Sequence, residues 1–519
     1  MDFYLSYFNN TQVALLLTTI ACFLISLFFQ INKKVNFSLG FLLLAGIGIF
    51  SFAALLDPFL NLWDERFHAL VGKNLMQHPL LPTLYDNPVV DMAYDRWDRA
   101  HVWLHKQPLF LWQIALSFKL FGVSEFTLRL PDIVLCTILV FISYRSGKLL
   151  VNQRVGYLAG VLIISSVFLV ELVAGRQELE HNDISFLVYS SLGIWSFIEY
   201  YYSGKKYWIP LIGLFSGMAI LCKWLVGLLI YFGWGVLRLL QKKYKLSENK
   251  DLFISLLVTC LIAIPWQILT FIWYPNEASE AMEYNALHFT TPIEGHGGTF
   301  WYHLNKFSVI YGAIAPFLIV PAFFFLYQKS KDKQLFYAML SMVFLIYLFF
   351  SFAVTKMPSF TLVIAMIAYI AFAALLDRMF TYLNGYLSKE SLRNTVFVLG
   401  IIVLVFFRFD MKSLEEKYTL HNGTNRYSSM LIHNKEVFTT LDVPKNSVLF
   451  NIKGRHYIEA MFYTGLPAYN FVPTQDQFIK LKTKGHIIVL FNSSEIDIPV
   501  YLQQDPGLII IEDEIRGDN

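Results

Sequence analysis

Charge is scarce in this chain. Only 15% of its 519 residues are charged, where an ordinary soluble domain carries about 25%. That deficit excludes a single water-soluble globule of this length. Cysteine is scarce as well, and Cys22, Cys136, Cys222 and Cys260 all fall in apolar stretches. No disulfide framework is therefore open to a water-exposed part. A basic patch is missing: the net charge is +3 and the Lys and Arg residues are spread over short loops, so nucleic acid is excluded as a partner. Internal repeats and low-complexity tracts are absent too. The opening MDFYLSYFNNTQ has no positive n-region, which predicts that the first apolar stretch stays in the membrane. What the chain does have is apolar mass. Hydrophobic residues make up 56% and aromatics 17%, and mean hydropathy is +0.50. Uncharged blocks at 12–29, 37–56 and 252–272 match the roughly 20 residues a helix needs to cross hydrocarbon. The pattern predicts a polytopic α-helical membrane protein.

Low-charge blocks predict twelve spans, at 11–30, 37–56, 128–144, 156–173, 184–201, 208–221, 224–240, 252–272, 305–326, 335–352, 360–377 and 394–409. The apolar segment 108–121 reads as re-entrant or surface-lying. Seventeen Lys and Arg residues fall in short loops on one side, against Arg176, Lys223 and Lys356 on the other. The positive-inside rule makes the first side cytoplasmic. Both termini, the loops 57–127 and 273–304 and the tail then face outward, across a bacterial-type inner or plasma membrane. The chain divides into a membrane module, 1–409, and a soluble tail, 410–519. In the tail, β-like runs at 447–452, 486–491 and 508–511 alternate with helix-like stretches at 456–463 and 475–481, predicting a small α/β domain.

Chemistry-bearing residues cluster on the outer side. Ionisable residues inside the spans sit near their ends, so the midplane is nearly uncharged, unlike an ion-coupled carrier. Asp64-Glu65-Arg66 follows the second span; paired carboxylates at an interface suit base chemistry, and they suit a helix N-terminus equally well. His105-Lys106 and, farther on, Arg129 offer cations to a phosphate, or snorkel at span ends. Arg176, Glu178, Glu180 and Asp183 share a short outer loop. Lys356 breaks the cation asymmetry. His288, Glu294 and His296, with Trp301, Tyr302 and His303 after them, are candidates for a divalent metal or for substrate contacts, although their spacing fits a flexible polar loop equally.

Taken in order, these motifs resemble the polyprenyl-phosphate-sugar-dependent glycosyltransferases of the GT-C fold, in the protein O-mannosyltransferase and aminoarabinose transferase superfamily. Asp64-Glu65 is similar to that superfamily's acidic pair, and His105-Lys106-Gln107-Pro108-Leu109 with Trp112 to its KPP-like motif. Phe121-Gly122, then Arg129-Leu130-Pro131, resembles its FG…RLP stretch. Leu221-Cys222-Lys223-Trp224, Pro265-Trp266 and Thr355-Lys356-Met357-Pro358-Ser359-Phe360 complete the series. Departures are Gln107 for the second proline, Phe360 for a tyrosine, Phe67 for an arginine, and an extra early span.

The resemblance implies a GT-C-like bundle of about twelve spans with an outer α/β domain. It implies inverting transfer of a sugar from a polyprenyl-phosphate donor to an extracytoplasmic acceptor (lipid, glycan or protein). Asp64 is then the expected base, with Glu65 and Asp183 as further acids. Lys106, Arg66, Arg129 and Lys356 are expected at the donor phosphate, and His105, His288, Trp301 and Tyr302 at substrate. No cofactor is required, and a divalent metal is compatible. The rival expectation is a twelve-span secondary transporter. A membrane scaffold would explain the tail but not the ordered motifs.

Overall fold

The computed structural model describes residues 8–177, 180–409, 426–492 and 498–517. Glu178 and the side chain of Glu180 lie outside this set. The described residues open on α1 (Asn10–Ile31) and α2 (Val35–Ala54), with Asn9 and Gln12 closing a capping box at the start of α1. Two outer helices follow, α3 (Asp64–Leu75) and α4 (Leu109–Phe121). Helix α4 is the segment read as re-entrant or surface-lying; its 13 residues are too few for hydrocarbon. Next come α5 (Glu125–Leu150), the bent pair α6 (Gln153–Ile164) and α7 (Val167–Val173), α8 (Glu180–Ser203), α9 (Trp208–Lys223), α10 (Leu229–Leu240) and α11 (Lys250–Trp273). The second outer segment carries α12 (Pro275–Leu287). A second bent pair joins α13 (Tyr302–Asn305) and α14 (Phe307–Tyr311) to α15 (Ala315–Lys329), and α16 (Lys333–Phe352), α17 (Ala365–Asn384) and α18 (Glu390–Arg408) complete the bundle.

Among the described residues, eight helices are long and apolar enough to cross a membrane, ten with the two bent pairs. The 33-residue stretch Trp208–Leu240 is one of the eight, yet it folds back on itself. Trp224 takes φ 56°, and the Ser216 hydroxyl donates to the Gly227 carbonyl across the fold. Lys206, just before α9, pairs with Asp251 at 2.6 Å, and Asp251 also accepts from Tyr200 at the end of α8. Tyr201 reaches Asp332, beside the Gln334 that donates to Leu240 at the end of α10. The start of α9 and the end of α10 thus share one end of the bundle. With α8, which falls short on apolarity, twelve helical passages connect the two ends.

The same contacts sort the charges. Arg145 pairs with Glu199, Arg154 and Lys329 share Asp377, Lys331 donates to the Lys148 carbonyl, and Lys33 pairs with Glu390. The cation-rich loops therefore gather at one end. Asp64, Lys106, Arg176 and Lys223 gather at the other.

The tail contributes α19 (Arg426–Thr440), β1 (Ser447–Phe450), α20 (Tyr457–Thr464), α21 (Gln475–Thr483), β2 (Ile487–Phe491), α22 (Val500–Gln503) and β3 (Ile509–Ile511). Its three strands form a parallel sheet in the order β1-β2-β3, at the positions that alternation in the sequence predicts. The tail is not separately cored, however. Val448, Phe450 and Tyr469 pack in one apolar cluster with Phe67, Leu70, Trp103 and Phe110 of the first outer segment. Tyr85 stacks on Tyr469 at 5.2 Å and donates to the Ala468 carbonyl.

Candidate active site

A cavity of about 660 Å³ lies at the Asp64 end of the bundle. It has two chemical halves. Leu225, Leu228, Leu229, Phe232, Ile346 and Phe349, from α10 with the turn before it and from α16, make an apolar wall, while Asp64, His105, Lys106, Asn182, Lys223, His288 and Glu294 make a polar one.

Asp64 is the first residue of α3, one place after Trp63 at the cap position, whose side chain makes no cap bond. The Asp64 carboxylate meets the Lys106 ammonium at 3.2 Å, with the two side chains only 14% and 15% exposed. Burial pushes the Asp64 carboxyl up, but Lys106 with His68 and His105 outweighs it and holds the group at about 2. Burial drives His105 well below its usual value, helped by Lys106. Burial likewise keeps His288 low and His68 down at about 3, so all three rings are neutral near pH 7. His68 sits one turn beyond Asp64, and its ring nitrogens have no hydrogen-bond partner. It is a neutral wedge against Phe110, 4.7 Å between centroids.

Glu65, next in sequence, faces the opposite way. It is fully buried and takes a bidentate pair from Arg129, at 2.7 and 2.9 Å, together with the Asn61 amide at 2.7 Å. Burial pushes its carboxyl up, and Arg129 and His181 more than reverse that, holding it well below the usual range. The remaining Arg129 donors go to the carbonyls of Ala54, Asp57 and Phe59. Every arm of the guanidinium is occupied, and the residue is 0% exposed. Glu65 and Arg129, expected at the base and the phosphate, therefore form a brace that clamps the α2–α3 connection onto α5. A second brace is the two-bond pair of Arg176 with Asp57, both contacts at 2.7 Å.

Other expected phosphate ligands are also committed elsewhere. Arg66 pairs with Glu459 of the tail at 3.3 Å, away from the cavity wall. Lys356 donates to the carbonyls of Phe350 and Ser351, at 2.9 and 2.7 Å, and so satisfies the C-terminal end of α16. The main-chain amides of Thr355 and Lys356 donate to the carbonyls of His288 and His296, which fastens the second outer segment across the cavity. Trp301 and Tyr302 lie off the wall, and Trp301 is 59% exposed. His288, Glu294 and His296 all line the cavity, but among the described residues no group of three His, Cys, Asp or Glu side chains is placed to hold a metal ion.

Two residues gain importance from the structure. Lys223, in the fold-back between α9 and α10, pairs with Asp183 and stands 4.7 Å over the Phe360 ring, on the cavity wall. One oxygen of the buried Asp183 carboxylate has no partner, nor does the amide oxygen of Asn182 beside it. The signal for Lys223 was present in the sequence: it is one of three cations on the wrong side of the charge asymmetry.

This bundle, two-helix outer segment and cavity form the fold of the GT-C glycosyltransferases. A family model described as dolichyl-phosphate-mannose-protein mannosyltransferase matches residues 105–268, the stretch from His105-Lys106 through Asp183 and Lys223 to Pro265-Trp266. The crystal structure of ArnT from Cupriavidus metallidurans bound to undecaprenyl phosphate is similar over 85% of this chain and 87% of that one, with a TM-score of 0.61 at 15% identity. The archaeal oligosaccharyltransferase AglB from Archaeoglobus fulgidus, in complex with an inhibitory peptide and a dolichol-phosphate, is similar over 82% of this chain and 63% of its own, with a TM-score of 0.54 at 12% identity. An uncharacterized protein of Aquifex aeolicus (strain VF5) is 22% identical over 219 residues, which is 42% of this chain and 40% of that relative's length.

Proposed function

We propose that the protein is an integral membrane glycosyltransferase that moves a sugar from a polyprenyl-phosphate donor to an extracytoplasmic acceptor, with inversion at the anomeric carbon. The observation that carries this reading is the two-sided cavity: an apolar wall at the depth of α10 and α16 faces a buried Asp64–Lys106 pair. A lipid phosphate has that same duality, a hydrocarbon chain and an anionic head. The matches to ArnT and AglB, both named with a polyprenyl-type phosphate, support it. The transporter reading finds no counterpart among them.

In the free protein Asp64 and Lys106 neutralise each other. A donor phosphate entering along the apolar wall competes for the Lys106 ammonium, and Lys223 supplies a second cation on the same wall. Once Lys106 turns to the phosphate, burial is no longer outweighed at Asp64, and its carboxylate becomes a better proton acceptor. The acceptor oxygen then bonds to the anomeric carbon as its proton passes to Asp64. The anomeric C–O bond breaks, and its electron pair leaves on polyprenyl phosphate, whose growing charge the two lysines stabilise. The base contributes about 10²–10⁴ in rate. Donor attack, by this reading, waits on donor binding: the base is switched on by the phosphate that takes its cation.

The reading puts the site on the outer face of a bacterial-type inner or plasma membrane, and the gathering of the cation-rich loops at the opposite end of the bundle supports the outer placement. The test is to incubate purified full-length protein with polyprenyl phosphates carrying radiolabelled hexoses or pentoses and with cell-envelope material. The reading predicts label in an envelope acceptor and release of free polyprenyl phosphate. A donor left intact under all those conditions would overturn it.

A further inference from the structure

The segment that delivers Asp64 is held from behind by the tail. Three consecutive backbone amides are fixed: Leu60 donates to the Tyr463 hydroxyl at 3.3 Å, Asn61 to Glu65 at 2.7 Å, and Leu62 to the Tyr427 hydroxyl at 3.1 Å. Trp63 comes next with φ 65° and ψ −127°, a positive-φ conformation that a bulky residue rarely adopts. The result is an indole turned outward, 46% exposed, on the cavity wall beside its chain neighbour Asp64.

Arg455 backs that indole. It lies in the loop between β1 and α20, at the carboxyl end of a strand in a parallel sheet, where α/β folds bind their ligands. Its guanidinium carbon is 5.4 Å from the Trp63 ring and 5.3 Å from the Trp97 ring. The nearest carboxylate, Asp98, is 3.7 Å away and already takes two contacts from Arg96. No hydrogen bond from the Arg455 fork occurs among the described residues. Trp97 in turn stacks on His105 at 4.4 Å and 12° and is half-buried, whereas Trp63 is exposed.

We propose that Trp63 and Arg455, braced by Trp97, form the acceptor subsite, and that the acceptor is a carbohydrate: a sugar residue of a glycan or glycolipid. The inference rests on the transferase reading and deepens it. A firmly backed indole presents a flat apolar face that suits the C–H face of a pyranose ring. The Arg455 guanidinium behind it, which donates no hydrogen bond among the described residues and only faces Asp98 at 3.7 Å, suits hydroxyl oxygens that reach past the ring. Strand addition of a polypeptide acceptor is closed at the outer edge of β1, which is already bonded to Pro467, Tyr469 and Phe471. A ring stacked on Trp63 brings its hydroxyl to the residue next in the chain, Asp64. The tail is thereby the half of the site that reads the acceptor, while the bundle holds the donor.

The test uses purified full-length protein, a radiolabelled polyprenyl-phosphate sugar, and envelope material in two portions. One portion is exhaustively proteolysed; the other is oxidised with periodate, which destroys vicinal diols. The proposal expects transfer to survive proteolysis and to vanish after periodate. It also expects Arg455→Ala to raise the acceptor KM about tenfold with kcat nearly kept, and Arg455→Lys to recover part of that loss. Binding of undecaprenyl phosphate to Arg455→Ala serves as the check that the variant is folded. Label that persists in protein after periodate would overturn the proposal, as would an unchanged acceptor KM in Arg455→Ala while donor is consumed. A donor left intact by wild-type protein in both portions would overturn the transferase reading and this inference with it.

Discussion

Replacing Lys106 by Met removes an ammonium 3.2 Å from Asp64 while leaving a stem of similar bulk. At that distance and an effective dielectric of about 20, the attraction is about 5 kcal/mol as a ceiling. Burial of the carboxylate offsets part of this. What remains is visible in Asp64 itself, held at about 2 against an ordinary value of 3.8, a difference on the order of 2 kcal/mol. In Lys106→Met the largest opposition to burial is gone and only His68 and His105 remain against it, so the carboxyl rises from its depressed value. The sign follows from the depressed value. In the wild type the ionised form, and the stability it adds, are fully present above about pH 4 and are lost only as pH falls towards 2. Donor kcat/KM, which reports the free enzyme, should therefore be level from pH 4 upward in the wild type with respect to this group. In the variant an acid limb should enter the range above pH 4, on top of a transfer rate lowered at least tenfold by the lost phosphate contact. Wild-type kcat should show its own acid limb at higher pH than kcat/KM, because the bound donor draws Lys106 away. Residual sugar transfer across pH 4–8 measures all three. Full activity and a profile identical to wild type in Lys106→Met would refute the reasoning and leave Lys106 a snorkelling anchor.

Three further outcomes are expected. Glu65→Gln leaves the Arg129 guanidinium buried without its carboxylate and should cost about 3–5 kcal/mol, read as a lower melting temperature in detergent with donor KM little changed; a raised donor KM at wild-type stability would return Arg129 to the phosphate. Lys223→Met removes a charge-assisted contact worth about 1.5–3 kcal/mol and should raise donor KM between tenfold and a hundredfold, an expectation that fails if donor use is unaltered. Single cysteines at Lys243 and Lys484, in a background lacking Cys22, Cys136, Cys222 and Cys260, should label oppositely with an impermeant thiol reagent in intact cells, with Lys484 reactive from outside; the reverse pattern would put the cavity on the cytoplasmic side.

The parts of this molecule that local pattern encodes were legible in the sequence. Apolar block length marks the helical passages, and short apolar β-like runs set between helix-like stretches mark all three tail strands, because both signals lie within a dozen residues. The fold-back at Lys223–Trp224 was legible as a break between two short spans. Asp64 and Lys106 were legible as interface charges in motif order, although nothing local says that they pair. Opaque were the partnerships between distant positions. Glu65 finds Arg129, Arg66 finds Glu459, and Asp183 finds Lys223 only once the bundle and tail have closed, so adjacent charges such as Asp64, Glu65 and Arg66 read as one cluster. Helix geometry separates them: successive residues point about 100° apart, sending Asp64 to the cavity, Glu65 into the bundle and Arg66 to the tail. Lys356 read as a phosphate ligand because its charge stands alone in an outer loop. The carbonyls that occupy it belong to the end of α16, and a helix end advertises no acceptor in its side chains. The tail read as independent because its own pattern is complete, whereas its core is shared with aromatics almost 400 positions earlier.

The central claim is that Asp64 accepts the acceptor proton, a role beyond its ion pair with Lys106. The substitution Asp64→Asn tests it most directly, since Asn keeps the size of the side chain but carries no charge and takes no proton at neutral pH. Sugar transfer should be measured in wild type and Asp64→Asn side by side, with undecaprenyl phosphate binding and thermal stability followed in the same samples. The account predicts a folded variant that still binds the lipid phosphate and transfers sugar about 10²-fold more slowly or worse. Transfer by Asp64→Asn at the wild-type rate would contradict it and move the base to Asp183.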